Sequence, residues 1–335
     1  MIWSEGFTGS YYITLVDPVS WRDMNRMEIY GGSVERSDEG LMQSADLDMK
    51  ELPDDGETWV RVWMDADQGG IEHVALFTGL TTAPSRDIDG LRESFKVECY
   101  SVLKAPDDIY LKRGEYIPAE VHAPQAAAKL LRAGPAPVEV AEVDEYPTLQ
   151  GAIIGEDDET ALSMAQKVLD AIGWKIRVDG RGVIHLEPKS MDIVDVFDAV
   201  ANDIMELTIT DACDWFSCPN VLRCISDDLT AIARDDDPNS PLSTVRRGRE
   251  VWAQETNVSL GTNQSLASYA RDRLKELQNP ARTAEYARRF DPDVEVGSLV
   301  RISHPEIGID GMFRIKSQSM ELSYGCRTSE TAVEE

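Results

Sequence analysis

Polar and apolar residues alternate through the first part of this chain, and that alternation constrains its fold more than any other feature. Glu57-Thr58-Trp59-Val60-Arg61-Val62-Trp63-Met64 is the clearest case. A side-chain period of two places every second residue on one face, so such a segment forms a strand with one buried face. His73 to Gly79 and Ser94 to Tyr100 read the same way. Turn-forming clusters stand around them: Pro53-Asp54-Asp55-Gly56, Asp67-Gln68-Gly69-Gly70 and Asp87-Ile88-Asp89-Gly90. Glycine and aspartate supply the backbone angles that tight turns need. Short strands with near-regular turns predict a small barrel or sandwich.

The pattern changes after Pro118. Gln125 to Leu131 is rich in alanine and leucine and predicts a short helix, and Pro135, Pro137 and Pro147 then break any long element. The stretch from Asp158 to Ile172 predicts an amphipathic helix, with Ala161, Leu162, Ala165, Val168, Leu169 and Ile172 on one stripe. Thr160 or a preceding acid caps its start, and Gly173 stands where helix ends favour glycine. Trp174 to Val178 and Gly182 to Leu186 predict a hairpin turned by Asp179-Gly180-Arg181-Gly182. Helix plus hairpin makes a compact α+β unit between larger β pieces.

Ile193 to Ile209 fits either helix or strand. Val221 to Ala233 reads as a strand and Val245 to Thr256 as its hairpin partner. Their connection, Arg234 to Pro241, is polar and proline-punctuated, the signature of a mobile loop. Thr262 or Asn263 opens a second helix with stripe residues Leu266, Tyr269, Ala270, Arg273, Leu274 and Leu277, and Asn279-Pro280 stops it. Thr283 to Phe290, Gly297 to Ile302 and Gly311 to Ser317 return to strands, with a final strand from about Ser319. No repeat of 20–50 residues is evident. The fold expected is α+β, mainly β, with two small β-barrel domains and an intervening α+β domain. Residues 1–120 form the N-terminal barrel, 121–200 the small α+β domain, and 201–335 the second barrel with one helix.

Charge narrows the function. The 335 residues carry a formal net charge of −28, which repels DNA phosphates and anionic lipid. Sequence-specific nucleic-acid binding is not expected. Membrane insertion is not expected either, because no run approaches the roughly 20 apolar residues of a spanning helix. Met1 to Gly6 lacks the basic and apolar regions of a secretory leader, so synthesis in a cytoplasm is expected. There the five cysteines, Cys99, Cys213, Cys218, Cys224 and Cys326, are reduced.

Candidate chemical sites each meet a plainer explanation. Gaps of four and five residues between Cys213, Cys218 and Cys224 are too wide for a zinc knuckle, and buried free thiols explain them better. His73, His122, His185 and His304 are scattered, without the nucleophile and base pattern of a triad. Glu156 with Asp157, or Asp235 with Asp236, lies in a turn context that favours solvated faces over a glycosidase pair. Asp179-Gly180-Arg181-Gly182 looks like a phosphate loop but lacks the lysine-serine ending and a following helix. Trp59 and Trp63 share one strand face and, with Trp215, suggest a sugar-stacking platform, with core packing as the simpler reading. No catalytic, cofactor-binding or metal-binding residue, and no cofactor, is assigned. Arg234 to Arg249, where acids adjoin Arg246-Arg247-Gly248-Arg249, is a candidate partner-contact loop or a solvated hairpin tip.

Taken in order, four stretches resemble the baseplate hub and tail-protein family of phage tails and contractile injection systems. They are Gly31-Gly32-Ser33-Val34 with Ser44-Ala45-Asp46-Leu47; Arg61-Val62 and Leu76-Phe77-Thr78-Gly79 with Val97 to Ser101; Leu169 to Trp174 with Val178 to Gly182; and Tyr269 to Leu274 with Phe290 to Gly297 and Gly311 to Ser319. The resemblance implies a non-enzymatic homotrimer in the virion tail. Each subunit contributes two related barrels to a ring of six that joins a threefold tip to a sixfold tube and surrounds the channel. Implied partners are a distal tail or tube protein, a tape-measure protein, and a spike or fibre protein. An acidic lumen would pass DNA by repelling it. Some relatives carry a C-terminal lytic or receptor-binding module; this chain ends at Glu335 after the last strand, so cell-wall cleavage is not expected. The competing expectations are a carbohydrate- or receptor-binding tail-tip protein and, third, a cell-wall hydrolase.

Overall fold

The computed structural model describes residues 1–3, 5–52, 56–89, 92–189, 192–198, 204–210, 216–226, 229–256, 258, 265–278 and 282–335. The chain forms two compact units, residues 1–208 with 284–332, and residues 209–283 with 333–335.

The first unit opens with β1 (Thr8–Val16), β2 (Asp23–Ser37), β3 (Gln43–Met49), β4 (Trp59–Asp67), β5 (Ile71–Thr81), β6 (Ser85–Asp89) and β7 (Arg92–Ser101). They pair in the order β1-β4-β5-β7-β3-β2, and β2 returns to β1. Closure satisfies the edge hydrogen bonds that an open sheet would leave exposed. The alternation in β4 does what the sequence predicts. Val60, Val62, Met64 and Ala66 are buried in the barrel core with Phe77, Leu47 and Val97, while Trp59 and Trp63 face out. The cluster expected to turn at Asp87-Ile88-Asp89 is instead β6, paired with Arg92, Glu93 and Ser94. Cross-strand backbone pairing overrides the turn preference of aspartate there. Gly90 lies outside the described residues, as do Pro53, Asp54 and Asp55 of the earlier turn.

The α+β part follows: α1 (Lys104–Asp107), β8 (Tyr116–Ile117), α2 (Ala123–Leu131), β9 (Val138–Val140), β10 (Ile153–Ile154), α3 (Ala161–Asp170), β11 (Trp174–Val178) and β12 (Ile184–Pro188). Helix α3 begins at a capping box. The Thr160 hydroxyl accepts from the Ser163 amide at 3.1 Å, and the Ser163 hydroxyl accepts from the Thr160 amide at 3.0 Å. Its buried stripe of Leu162, Ala165, Val168 and Leu169 packs with Leu131 of α2 and with Trp174, Ile176, Ile184 and Leu186 of the hairpin. Gly173 ends the helix at φ +70°, an angle that costs glycine nothing.

Next come β13 (Ile193–Asp198) and β14 (Ile204–Thr210), so the ambiguous stretch is two strands. The second unit then forms from β15 (Val221–Ser226), β16 (Leu229–Arg234), α4 (Thr244–Arg247), β17 (Trp252–Glu255) and α5 (Leu266–Leu277). Two expectations change here. Val221 to Ala233 is two antiparallel strands, not one, and β17 runs parallel to β15 instead of closing a hairpin. The reason lies in the connection expected to be mobile, which hydrogen bonds pin. Buried Asn220 donates to the Leu242 and Arg249 carbonyls at 3.0 Å, and the Ser240 hydroxyl donates to Asp235 at 2.5 Å. That pinned loop carries the chain back to start β17 beside β15. Helix α5 is capped by Ser265, which accepts from the Ser268 amide at 3.1 Å; Thr262, Asn263, Asn279 and Pro280 lie outside the described residues. Leu266, Ala270 and Leu274 pack on Leu222, Cys224 and Ala233.

The chain returns to the first unit in β18 (Thr283–Arg288), β19 (Leu299–His304), β20 (Ile309–Glu321) and β21 (Thr328–Glu334). These strands pair with the earlier two in the order β13-β19-β20-β21-β18-β14. Ser319, expected to open the last strand, lies inside β20, and the last strand is β21. Strand β20 is long because it serves two neighbours: Ile309 to Arg314 pair with β19, and Ser317 to Glu321 pair with Ser33 to Ser37 of β2. That junction makes both β parts one 13-stranded sheet. The fold is α+β and mainly β. Among the described residues, no helix is long and apolar enough to cross a membrane.

Candidate functional site

Buried polar residues mark where the parts of the first unit lock together. The hairpin tip between β11 and β12 is the clearest such place. Gly180 lies so close to β5 that a Cβ there would stand 1.8 Å from the Ala75 carbonyl oxygen. The Thr78 hydroxyl donates to the Gly180 carbonyl at 2.8 Å, and the Trp21 indole donates to the Arg181 carbonyl at 3.0 Å. Arg61, 4% exposed, spends its whole guanidinium here. Its Nε donates to Thr78 at 2.9 Å, Nη2 to the Arg181 carbonyl at 2.9 Å, and Nη1 to the two oxygens of Asp23 at 2.9 and 3.0 Å. Burial lowers the Arg61 pKa, and Asp23 offsets part of that. The Asp179 to Gly182 turn is therefore a plug set against the barrel wall, as well as the hairpin turn the sequence predicts.

Two ion-pair sets extend this joint. Arg177 of β11 bonds Glu187 and Glu295, each at 3.1 Å, and Arg36 of β2 lies 3.5 Å from Glu295. Glu295 thereby ties the first barrel and the hairpin to the strand β19 that follows it. In the second β part, Arg288 and Glu330, 2% and 0% exposed, pair at 2.6 Å, and Gln318 donates to the same carboxylate at 2.6 Å. Burial alone would lower the Arg288 pKa, yet Glu330 reverses the direction and raises it. Burial, reinforced by Glu330, also drives the Tyr286 phenol well above its ordinary range. These groups hold structure, and Arg36, Tyr286, Gln318 and Glu330 among them also line a cavity.

The candidate chemical residues are not brought together. His73 meets Asp65 at 2.7 Å on the surface, and His185 meets Asp179 at 3.1 Å. His122 stands edge-on to Tyr146, and the Nδ1 of His304 is buried without a partner. Glu156 pairs with Lys167 and Asp157 with Arg113, while Asp235 and Asp236 brace their own loop through Ser240 and Thr244. Cys224 is buried and Cys218 donates to the Leu277 carbonyl; Cys213 and Trp215 lie outside the described residues. Among the described residues, no group of three or more His, Cys, Asp or Glu could hold a metal ion. Trp59 packs with Trp21 at 5.6 Å and Trp63 stacks on Tyr12 at 6.4 Å, so the two share a face but form no open platform. Sequence reasoning missed Arg61, Arg36 and the Arg288–Glu330 pair. A charged residue between Val60 and Val62 was the available signal for Arg61.

No protein-family model matches the sequence, and no curated protein matches it. Solved structures do. A tail protein from Neisseria meningitidis superposes with a TM-score of 0.68 at 16% identity, covering 97% of each chain. The 43 kDa tail protein of prophage MuSo2 from Shewanella oneidensis gives 0.64 at 13% identity over 98% of each. A Francisella PdpA–VgrG complex gives 0.56 at 8% identity, covering 98% of this chain and 58% of the other. The likeness covers nearly all of the chain. The chain has the fold of phage and prophage tail proteins.

Proposed function

We propose that this chain is a structural subunit of a phage-type tail, a baseplate hub that works by assembling as a homotrimeric ring and carries out no catalysis. The observation that carries this reading is the pair of β parts with one strand order, joined where the second half of β20 pairs with the second half of β2. Two like modules per subunit let three subunits present six module faces, which matches a threefold tip to a sixfold tube. The segments 1–120, 121–200 and 201–335 are, in this reading, a first wall module, a brace and a second wall module. The polar locks around Arg61, Glu295 and Arg288 suit a rigid wall. The fold shared with the Neisseria and Shewanella tail proteins supports the same role.

The partners in this reading are a distal tail or tube protein on one side and a spike or fibre protein on the other, with a tape-measure protein in the lumen. The protein is made in a host bacterial cytoplasm and resides in the virion tail. The net charge of −28 suits a channel that DNA passes without sticking. Light scattering across dilution and salt tests the ring. A trimer, alone or once mixed with its tail partners, is expected. A monomer that is indifferent to salt and never joins those partners would sink the proposal.

A further inference from the structure

A cavity of about 650 Å³ opens in the first unit, where the β2–β3 hairpin meets β18, β20 and β21, and none of the locks described above fills it. Its wall is rich in hydrogen-bond acceptors. Gln43 and Gln318, 6% and 3% exposed, each keep a side-chain oxygen with no donor. The Tyr286 hydroxyl and Arg36 Nε in the same wall also lack hydrogen-bond partners. Around them stand three exposed carboxylates, Glu35, Glu39 and Glu285, none of which forms an ion pair among the described residues. Arg327 lines the cavity as well and is already engaged. Three unpaired carboxylates around the opening favour a cationic occupant, and the two idle amide oxygens, closed to solvent as the wall stands, accept further N–H donors once their side chains turn. Guanidinium meets that description best, since its planar fork bonds carboxylate and amide oxygens together.

The chain itself supplies such a group. Against 61 acids and 33 bases, its densest basic stretch is Arg246-Arg247-Gly248-Arg249. This turn stands at the end of α4 in the second unit. Arg247 and Arg249 donate to the Phe216 carbonyl and brace the turn from below. Arg246 is exposed and forms no ion pair among the described residues, and exposed Val245 stands beside it. We infer that the cavity receives the 244–249 turn of a second copy of this chain, with Arg246 set among Glu35, Glu39 and Glu285. The inference rests on the self-assembling reading above and names the contact that reading lacks. Opposite charge on the two faces favours encounter and rejects like-charged alternatives.

Charge reversal in the full chain tests it. Arg246→Glu and Glu285→Arg each change an exposed side chain without an ion pair, so the fold tolerates both, and an unchanged urea midpoint verifies that. Glu35→Arg serves as a second reversal on the cavity side. Sedimentation equilibrium at physiological salt is expected to show each single reversal weakening self-association by about tenfold or more. The chain carrying Arg246→Glu with Glu285→Arg is expected to recover to within about threefold of the original. Single reversals that associate like the original chain overturn the assignment, as does a combined chain no stronger than the weaker single. Those outcomes leave the ring standing. An original chain that stays monomeric in this assay, with or without tail partners, sinks the ring and this contact with it.

Discussion

Gly180→Ala tests whether the hairpin plug holds the α+β part to the barrel. The added methyl would sit 1.8 Å from the Ala75 carbonyl oxygen and 2.5 Å from its carbon, and both are backbone atoms that cannot swing aside. The hairpin tip must retreat by more than about 1 Å to restore contact distance. The bonds from Thr78 and Arg61, at 2.8 and 2.9 Å, then stretch past bonding range. Thr78 is 0% exposed and Arg61 4%, so neither donor finds water. A buried donor left unsatisfied costs about 1–3 kcal/mol, and two of them bring the total to about 4 kcal/mol. Gly173→Ala is the control. Gly173 has φ +70° with nothing within 4 Å, so a methyl there meets only backbone strain of about 1–2 kcal/mol. Urea unfolding followed by tryptophan emission suits the comparison, because Trp21 bonds the Arg181 carbonyl and packs on Trp59. Equal losses for the two variants, or a Gly180→Ala chain with unaltered native emission, would refute the docking argument.

Three more outcomes follow from the buried groups. Arg288→Met strands the Glu330 carboxylate at 0% exposure and is expected to cost about 3–5 kcal/mol in a urea titration, whereas Arg288→Met with Glu330→Leu regains most of it; a loss below about 1 kcal/mol for the single change contradicts the pairing. Burial pushes the Glu159 carboxyl up, but bonds from Lys167 and Ser163 prevail and hold it below its ordinary 4.5. Its stabilising contribution is therefore present above that value and lost as pH falls through the lower folded value. The stability gap between the original chain and Lys167→Met should shrink as pH falls below the ordinary 4.5, and a gap that stays constant through acid titration argues against it. Burial raises the thiols of Cys99 to about 12 and Cys326 to about 11. A thiol reagent at neutral pH should modify neither until the chain is denatured, and mass mapping that finds Cys99 labelled in the folded state counts against that core.

Local pattern was legible wherever the local sequence decides the outcome. The alternation in β4 and the apolar stripe and capping threonine of α3 needed nothing from elsewhere in the chain. What failed was pairing. Asp87 to Asp89 looks like a turn until β7 offers it a partner, and Ser319 looks like a strand start until β2 extends β20 past it. Likewise β17 resembles a hairpin mate, but its direction is set by Asn220 holding a loop twenty residues away. The polar locks were hidden for a related reason. Asp179-Gly180-Arg181-Gly182 reads as a hairpin turn and is one, yet what makes Gly180 necessary is the Ala75 carbonyl about a hundred residues earlier in the chain.

The same logic explains why a shared pairing order left no repeat in the sequence. Numbered in chain order within each part, and setting aside the add-on strand β6, both β parts pair as first, fourth, fifth, sixth, third, second. A periodic sequence signal needs constant spacing, and here β6 and unequal strand lengths disturb it and one insertion breaks it outright. Between the second and third strands the first part has the short turn from Ser37 to Gln43, whereas the second part has the whole 209–283 unit. Orientation differs as well, since β1 meets β4 antiparallel and β13 meets β19 parallel. Strand order is conserved by which backbones must be satisfied, and many side-chain sets satisfy the same backbone. Two β parts can therefore share a pairing order while their residues diverge. If three copies are needed to close a ring, the two parts must also diverge at their outer edges, because each then meets a different neighbour.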